Sequence, residues 1–209
     1  MKKIIYGLFF GDSITYGEYD GVFGGWVDIL KRYALQKFHE GNGDELILFN
    51  LGIGGETTGG LLKRMPVELE ARNSADGNLI FISYGANDLA KKDGVQVVEA
   101  EKFKNNIITA VHHAQRFSKD IYLVSILPVS KNIDGVVVGS GKLRTNEEVI
   151  VYNDILKSIA ADYALGYIDF HAALLEDKEV LLSADGVHPN EKGYGMMAET
   201  AIPIIEKYL

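Results

Sequence analysis

Along the chain, runs of consecutive apolar residues alternate with segments in which apolar residues recur at helical spacing. The runs Lys3–Phe9, Glu45–Asn50, Asn78–Tyr84, Asp120–Leu127 and Gly166–Asp169 are short and rich in Ile, Val, Leu, Phe and Tyr. They are apolar at successive rather than alternate positions, which suits strands covered on both faces and predicts a parallel sheet. Between them, Trp26–His39 places Trp26, Val27, Ile29, Leu30, Tyr33, Ala34 and Phe38 near helical spacing, and Val97–Phe117 does so with Phe103, Ile107, Ala110, Val111 and Ala114. Thr58–Ala71, Asn146–Tyr163 and Asn190–Tyr208 complete the predicted helices, with Pro66 and Pro203 as expected kinks or interruptions. Strand–helix–strand repetition of this kind predicts a doubly wound α/β layer sandwich with right-handed crossovers. No internal repeat, heptad array or low-complexity linker divides the chain, so residues 1–209 read as one domain.

Two stretches resist the pattern. Ser130–Arg144 has no clear period, and its Asp134–Gly141 portion predicts a small hairpin or a loop over the sheet edge. Excursions of that length serve either as functional lids or as solvent-facing insertions. The Val136-Val137-Val138 run inside it reads as a hairpin strand or an interface. The start, Met1-Lys2-Lys3 followed by apolar residues, mimics a secretory leader. Its apolar run ends after seven residues in Gly11-Asp12-Ser13, with no small-residue cleavage step behind it, and a buried strand is expected instead. No stretch approaches the ~18 apolar residues of a membrane span.

Composition narrows the class further. With 47% hydrophobic and 24% charged residues the chain is not a disordered one. The absence of cysteine excludes a disulfide framework, a thiolate metal site and a thiol nucleophile. Together with the lack of an Asn-x-Ser/Thr acceptor, it makes the cytoplasm the expected location. The net charge of −8, without a basic cluster, argues against a nucleic-acid partner and leaves a small molecule as the expected one.

In an open α/β sheet, ligands bind beyond the carboxyl ends of the strands. The first strand run is followed by Gly11-Asp12-Ser13, the second by Asn50–Thr57, and the third by Gly85-Ala86-Asn87-Asp88. Beyond the last strand run and a short helical stretch comes Asp185-Gly186-Val187-His188-Pro189. Small, polar and titratable residues therefore collect at one rim. Their chemistry fits acyl transfer: a serine hydroxyl becomes a nucleophile when a base takes its proton. His188 is the candidate base, and Asp185, three residues earlier, can hold its Nδ1–H. The Ser13 and Gly55 backbone N–H groups and the Asn87 amide are candidate donors to an oxyanion. In a shuffled chain of this composition, Gly-Asp-Ser, Gly-x-Asn-Asp and Asp-x-x-His would occur together about 0.002 times.

These blocks resemble those of the SGNH hydrolases, the GDSL family of esterases and lipases. Phe10–Gly17, Asn50–Thr57, Gly85–Asp88 and Asp185–Asn190 match the family's first, second, third and fifth blocks, with Ile14 in place of the usual Leu. The resemblance implies that Ser13 is the nucleophile and that Asp185 and His188 complete a triad. It also implies that Ser13, Gly55 and Asn87 form the oxyanion hole, Gly55 fitting better than Gly54. The implied fold is a flavodoxin-like three-layer α/β/α sandwich with a five-stranded parallel sheet, without metal or cofactor. The implied activity is serine esterase or acylhydrolase action on short-chain acyl or acetyl esters. An O-acyltransferase would use the same site, and a non-catalytic ligand-binding module would keep the fold.

Neighbouring residues have plainer readings. Asp12 caps the first helix or braces its loop, and Asp88 is an N-cap. Adjacent His112 and His113 would point about 100° apart on a helix and make a poor chelating pair. Gly135–Lys142 has the wrong glycine spacing for a phosphate loop, and Leu143 stands where Ser or Thr is needed. No Gly-x-Ser-x-Gly elbow occurs. Tyr16 and Tyr19, just after the candidate nucleophile, are expected to wall the cleft.

Overall fold

The computed structural model describes residues 2–41 and 43–209; Met1, the first residue of the leader-like start, and Asn42 lie outside them. In chain order the strands are β1 (Ile4–Gly11), β2 (Glu45–Gly52), β3 (Asn78–Ser83), β4 (Lys91–Lys92), β5 (Val95–Gln96), β6 (Asp120–Val124), β7 (Lys142–Leu143) and β8 (Gly166–Ile168). The helices are α1 (Ser13–Tyr16), α2 (Trp26–His39), α3 (Thr58–Ala71), α4 (Ala100–Gln115), α5 (Asn146–Asp162), α6 (Phe170–Leu175), α7 (Lys178–Leu181) and α8 (Glu191–Ile205). Five strands form a parallel sheet in the order β2-β1-β3-β6-β8, between two helical layers.

The consecutive apolar runs have the cause expected of them. Along β1, Leu8 and Phe10 face a core built with α3, α4 and α5, while Ile5 and Phe9 face one built with α2, α6 and α8. Each fully buried side chain of this size contributes about 1.5–3 kcal/mol, so both faces hold the strand in register. Across the sheet Phe9 stacks on Phe81, centroids 4.1 Å apart, and Phe81 on Tyr122 at 5.1 Å. Trp26 meets Phe9 edge-on at 5.2 Å and fixes α2 to this ladder.

Element boundaries differ from the sequence expectation in instructive ways. β1 runs two residues beyond Phe9, because Phe10 and Gly11 still pair with Leu51 and Gly52 of β2. β6 stops at Val124, three residues short of Leu127. The helix expected from Val97 starts at Ala100, since Val97 and Val98 instead donate backbone hydrogen bonds to Ala90 and Asp88. Neither Pro66 nor Pro203 breaks its helix. Leu61, Met65 and Leu69 on α3, and Met197, Ala201 and Ile205 on α8, are buried in the two cores. That burial outweighs the ~3 kcal/mol a proline costs inside a helix.

The Ser130–Arg144 stretch resolves into a hairpin-like excursion. Val137 bridges Leu143, and β7 joins β4 and β5 in a small antiparallel sheet in the order β5-β4-β7. This second sheet had no sequence signal, its strands being two residues long. Among the described residues no helix is long and apolar enough to cross a membrane.

Candidate active site

The order in which parallel strands are added to the sheet reverses between β1 and β3: β1 leads to β2 on one side and β3 lies on the other. The loops leaving β1, β2 and β3 meet over this switch point, and the stretch after α7 reaches it from the far edge. They line a cleft of about 620 Å³ together with Ser13, Glu18, Tyr19, Gly55, Asn87, Asp185 and His188.

Asp12 shapes the first loop. Its Oδ1 accepts from the Ile14 N–H at 2.9 Å, capping α1 and starting the helical turn at Ser13. This turn lies across the sheet end so closely that a Cβ on Gly52 would stand 2.2 Å from the Tyr16 nitrogen. Only glycine fits there. At Gly55 the backbone lies at φ +75°, which glycine adopts without the strain a side chain brings.

The Asp-x-x-His spacing closes on itself. Asp185 Oδ1 accepts from the Val187 and His188 N–H groups, both at 3.0 Å, folding the chain into a tight turn. The other oxygen, Oδ2, is then left facing His188 Nδ1 at 2.5 Å. Ser183 ties the same turn, donating from Oγ to the His188 carbonyl at 2.7 Å and to Asp185 Oδ1 at 3.2 Å. Burial works against ionisation of Asp185, but the bonds from the His188 ring and the two backbone N–H groups outweigh it and hold the carboxyl well below the usual range. An ionised Asp185 only accepts, so Nδ1 carries the proton and Nε2 presents its lone pair. Ser13 Oγ lies 2.7 Å from that nitrogen. The tilted ring of Tyr19, 5.1 Å from the imidazole, covers its outer side, and Glu18 Oε2 stands 3.9 Å from Nε2.

Asn87 sits beside this chain with its amide orientation fixed. Lys142 Nζ donates to Oδ1 at 3.0 Å, and Arg144 Nη2 approaches the same oxygen at 3.4 Å. Lysine and arginine have no acceptor, so the amide oxygen must face them and Nδ2 must face the other way. There it makes only long contacts, 3.2 Å to the Glu56 carbonyl and 3.4 Å to Asp12 Oδ2. The backbone N–H groups of Ser13 and Gly55 donate to no protein acceptor among the described residues.

Beneath the site, Asp12 is buried and feels the charge of Arg144. Desolvation pushes the Asp12 carboxyl up to about 6, against the Ile14 bond and the attraction of His188 and Arg144. Asp88 is not the N-cap expected of it: Thr57 holds that place in α3, and Asp88 instead reaches α3 from outside, accepting from the Thr58 N–H at 3.0 Å and from Thr58 Oγ1. Glu56, Arg64 and Tyr84 lock the second loop to α3 in one network, with Arg64 Nη2 also donating to the Leu51 carbonyl at 2.6 Å.

All five sequence-derived site residues, Ser13, Gly55, Asn87, Asp185 and His188, therefore line one cleft, and three of them are joined in series. Tyr19 walls it as expected. Tyr16 does not: it is largely exposed and lines a separate surface hollow with Gly17, Asp20 and Asp28. The reason is local, since the left-handed Gly17 and Tyr19 (φ +70°) turn the chain back so that only the later ring meets His188. Lys142 and Arg144 carried no sequence signal in an aperiodic stretch. Their separation by one residue was the available hint, because alternate residues of an extended segment face the same side. Among the described residues no three His, Asp or Glu side chains converge as a metal-ligand set.

The family model of the GDSL-like lipase/acylhydrolase family matches residues 9–196. A multidomain esterase of Ruminococcus flavefaciens is 26% identical over 95% of this chain, which spans 28% of that protein's length. The spore germination lipase LipC of Bacillus licheniformis is 27% identical, covering 90% of this chain and 91% of the relative. The crystal structure of a lipase/acylhydrolase from Enterococcus faecalis superposes with a TM-score of 0.75 at 25% identity, covering 99% of this chain and 96% of that one. With the matched region spanning the three strand-end loops and the Asp-x-x-His turn, the chain belongs to the GDSL-like lipase/acylhydrolase family.

Proposed function

We propose that the protein is a serine esterase that hydrolyses short-chain carboxylic esters through an acyl-enzyme on Ser13. The observation that carries this reading is the unbroken chain from Ser13 Oγ to His188 Nε2 at 2.7 Å and from His188 Nδ1 to Asp185 Oδ2 at 2.5 Å. As Oγ attacks the ester carbonyl, its proton passes to Nε2, and the imidazolium so formed is stabilised by the ionised Asp185. The carbonyl oxygen becomes an oxyanion facing the Ser13 and Gly55 N–H groups and Asn87 Nδ2, whose long resting contacts are readily exchanged for it. Collapse of this intermediate breaks the C–O bond, and the Nε2 proton leaves with the alcohol. Water, deprotonated by the same nitrogen, then attacks the acyl-enzyme and releases the acid and Ser13.

A short acyl group fits the floor of the cleft. Ile14, Ala86 and Val187 close it, and the void behind them is only about 10 Å³, the space of roughly one water. That floor gives a longer acyl chain little depth to enter. Ser13→Ala is expected to lower kcat for 4-nitrophenyl acetate by at least about 10⁴-fold without changing the unfolding midpoint. Retention of wild-type turnover by a folded Ser13→Ala protein would overturn the reading.

A further inference from the structure

The cleft holds two cations with no carboxylate in contact. Lys142 and Arg144 both line it, yet neither belongs to any ion pair among the described residues, although the chain carries 29 Asp and Glu. Arg144 is only 8% exposed. Its protein bonds are Nε to the Ala86 carbonyl at 2.7 Å and Nη2 to Asn87 Oδ1 at 3.4 Å, and Lys142 has only its bond to Asn87. Of the five N–H donors of an arginine and three of a lysine, most are therefore left unspent on protein. A buried guanidinium without a contacting anion is costly, and truncating or neutralising it is the cheaper solution unless a ligand supplies the missing charge.

The electrostatics agree. Burial first, and then the neighbouring Arg144, hold the Lys142 ammonium below its ordinary value, as expected where positive charge is not fully matched. Asp12 and Asp185 attract Arg144 only at longer range, each being engaged elsewhere, with Ile14 and with His188. Glu18, the other carboxylate of the lining besides Asp185, lies with Oε2 3.9 Å from His188 Nε2 and pairs with neither cation. An anion entering the cleft is thus drawn to Lys142 and Arg144, which line it without a carboxylate in contact.

We propose that the ester this protein hydrolyses carries an anionic oxygen group, such as a carboxylate, which Lys142 and Arg144 bind while the ester carbonyl lies over Ser13. This rests on the esterase reading and adds the substrate class to it. The charge can sit on either side of the scissile bond, and the test separates the two.

Wild-type kcat/KM is measured, over the uncatalysed rate, on pairs in which a carboxylate is replaced by a neutral group of similar size. On the acyl side the pair is the 4-nitrophenyl monoester of glutaric acid and its methyl ester. On the alcohol side it is an O-acetylated methyl glucuronide and the equivalent O-acetylated methyl glucoside. In at least one pair the anionic member is expected to be favoured by about 10-fold or more, the range of a charge-assisted contact. That preference should fall as salt is raised to 1 M, because it is Coulombic. Lys142→Gln, which keeps a donor for Asn87 but loses the charge, should shrink the anionic-to-neutral ratio whatever happens to the neutral rate. Equal or better hydrolysis of the neutral member in both pairs, or an unchanged ratio in Lys142→Gln, overturns the substrate class and leaves the esterase reading standing. Absence of hydrolysis of all four esters, with no labelling of Ser13 by a fluorophosphonate, overturns both.

Discussion

Replacing Asp12 by asparagine isolates what the protein gives up by holding a carboxylate under its nucleophile. Asp12 is 2% exposed, and desolvation lifts its carboxyl from 3.8 to about 6. Because the folded-state value lies above the unfolded one, the favourable contribution is fully present below pH 3.8 and lost as pH rises through about 6. A change of that size corresponds to about 3 kcal/mol, so ionised Asp12 destabilises the fold by roughly that amount at pH 7.5. Asparagine has no such titration. It retains an oxygen for the Ile14 N–H, but its amide nitrogen would face Asn87 Nδ2, a donor-to-donor clash across the present 3.4 Å contact. The clash is independent of pH, whereas the charge term is not. Urea unfolding of wild type and Asp12→Asn at pH 4 and pH 7.5 therefore separates them, since other titrating groups cancel between the two proteins. The stability of the variant relative to wild type should improve by about 2–3 kcal/mol between pH 4 and pH 7.5. At the same time its turnover should fall, because Asn87 is displaced. A variant-to-wild-type difference that is the same at both pH values would refute the claim that Asp12 is a desolvated, ionising group.

Asp185→Asn should keep the turn but present an amide to His188, favouring the wrong tautomer; kcat is expected to drop by about 10³–10⁴-fold while the folded structure persists by circular dichroism. Asn87→Ala should lower kcat by about 100- to 1000-fold with little change in KM, since its amide meets charge that develops only after attack; an effect confined to KM would remove it from the oxyanion hole. Gly52→Ala would put a Cβ 2.2 Å from the Tyr16 nitrogen and 2.8 Å from the Asp12 carbonyl, both backbone atoms. It should therefore destabilise the fold by more than about 3 kcal/mol in urea titration, and a neutral result would mean the α1 turn is looser than described.

What could be read from the sequence was whatever its local spacing dictates. The five strands are visible because both of their faces are buried, and Asp185 and His188 because a turn of three residues brings carboxylate and ring together without help from elsewhere. The meeting of Ser13, Gly55 and Asn87 follows from the rule that loops at the carboxyl ends of parallel strands converge. The cationic wall was hidden for the opposite reason. Lys142 and Arg144 reach Asn87 only through β7, a two-residue strand whose pairing with β4 has no hydrophobic period to betray it. The prolines misled because propensity is local, while the burial that carries α3 and α8 through Pro66 and Pro203 is tertiary. Tyr16 misled because it is the last residue of α1, before the left-handed turn at Gly17 and Tyr19 that brings the later ring back to His188, and composition does not display that turn.

The proposed reaction turns on one covalent event, transfer of an acyl group to the oxygen of Ser13. Mixing the protein with excess 4-nitrophenyl acetate, quenching in acid within milliseconds and mapping the digest by mass spectrometry observes it directly. An added acetyl group on the peptide containing Ser13, formed at a rate no slower than turnover and absent from His188→Ala, is the predicted result. Steady turnover with no acyl group on Ser13 at any quench time, or with the group on another residue, would contradict it.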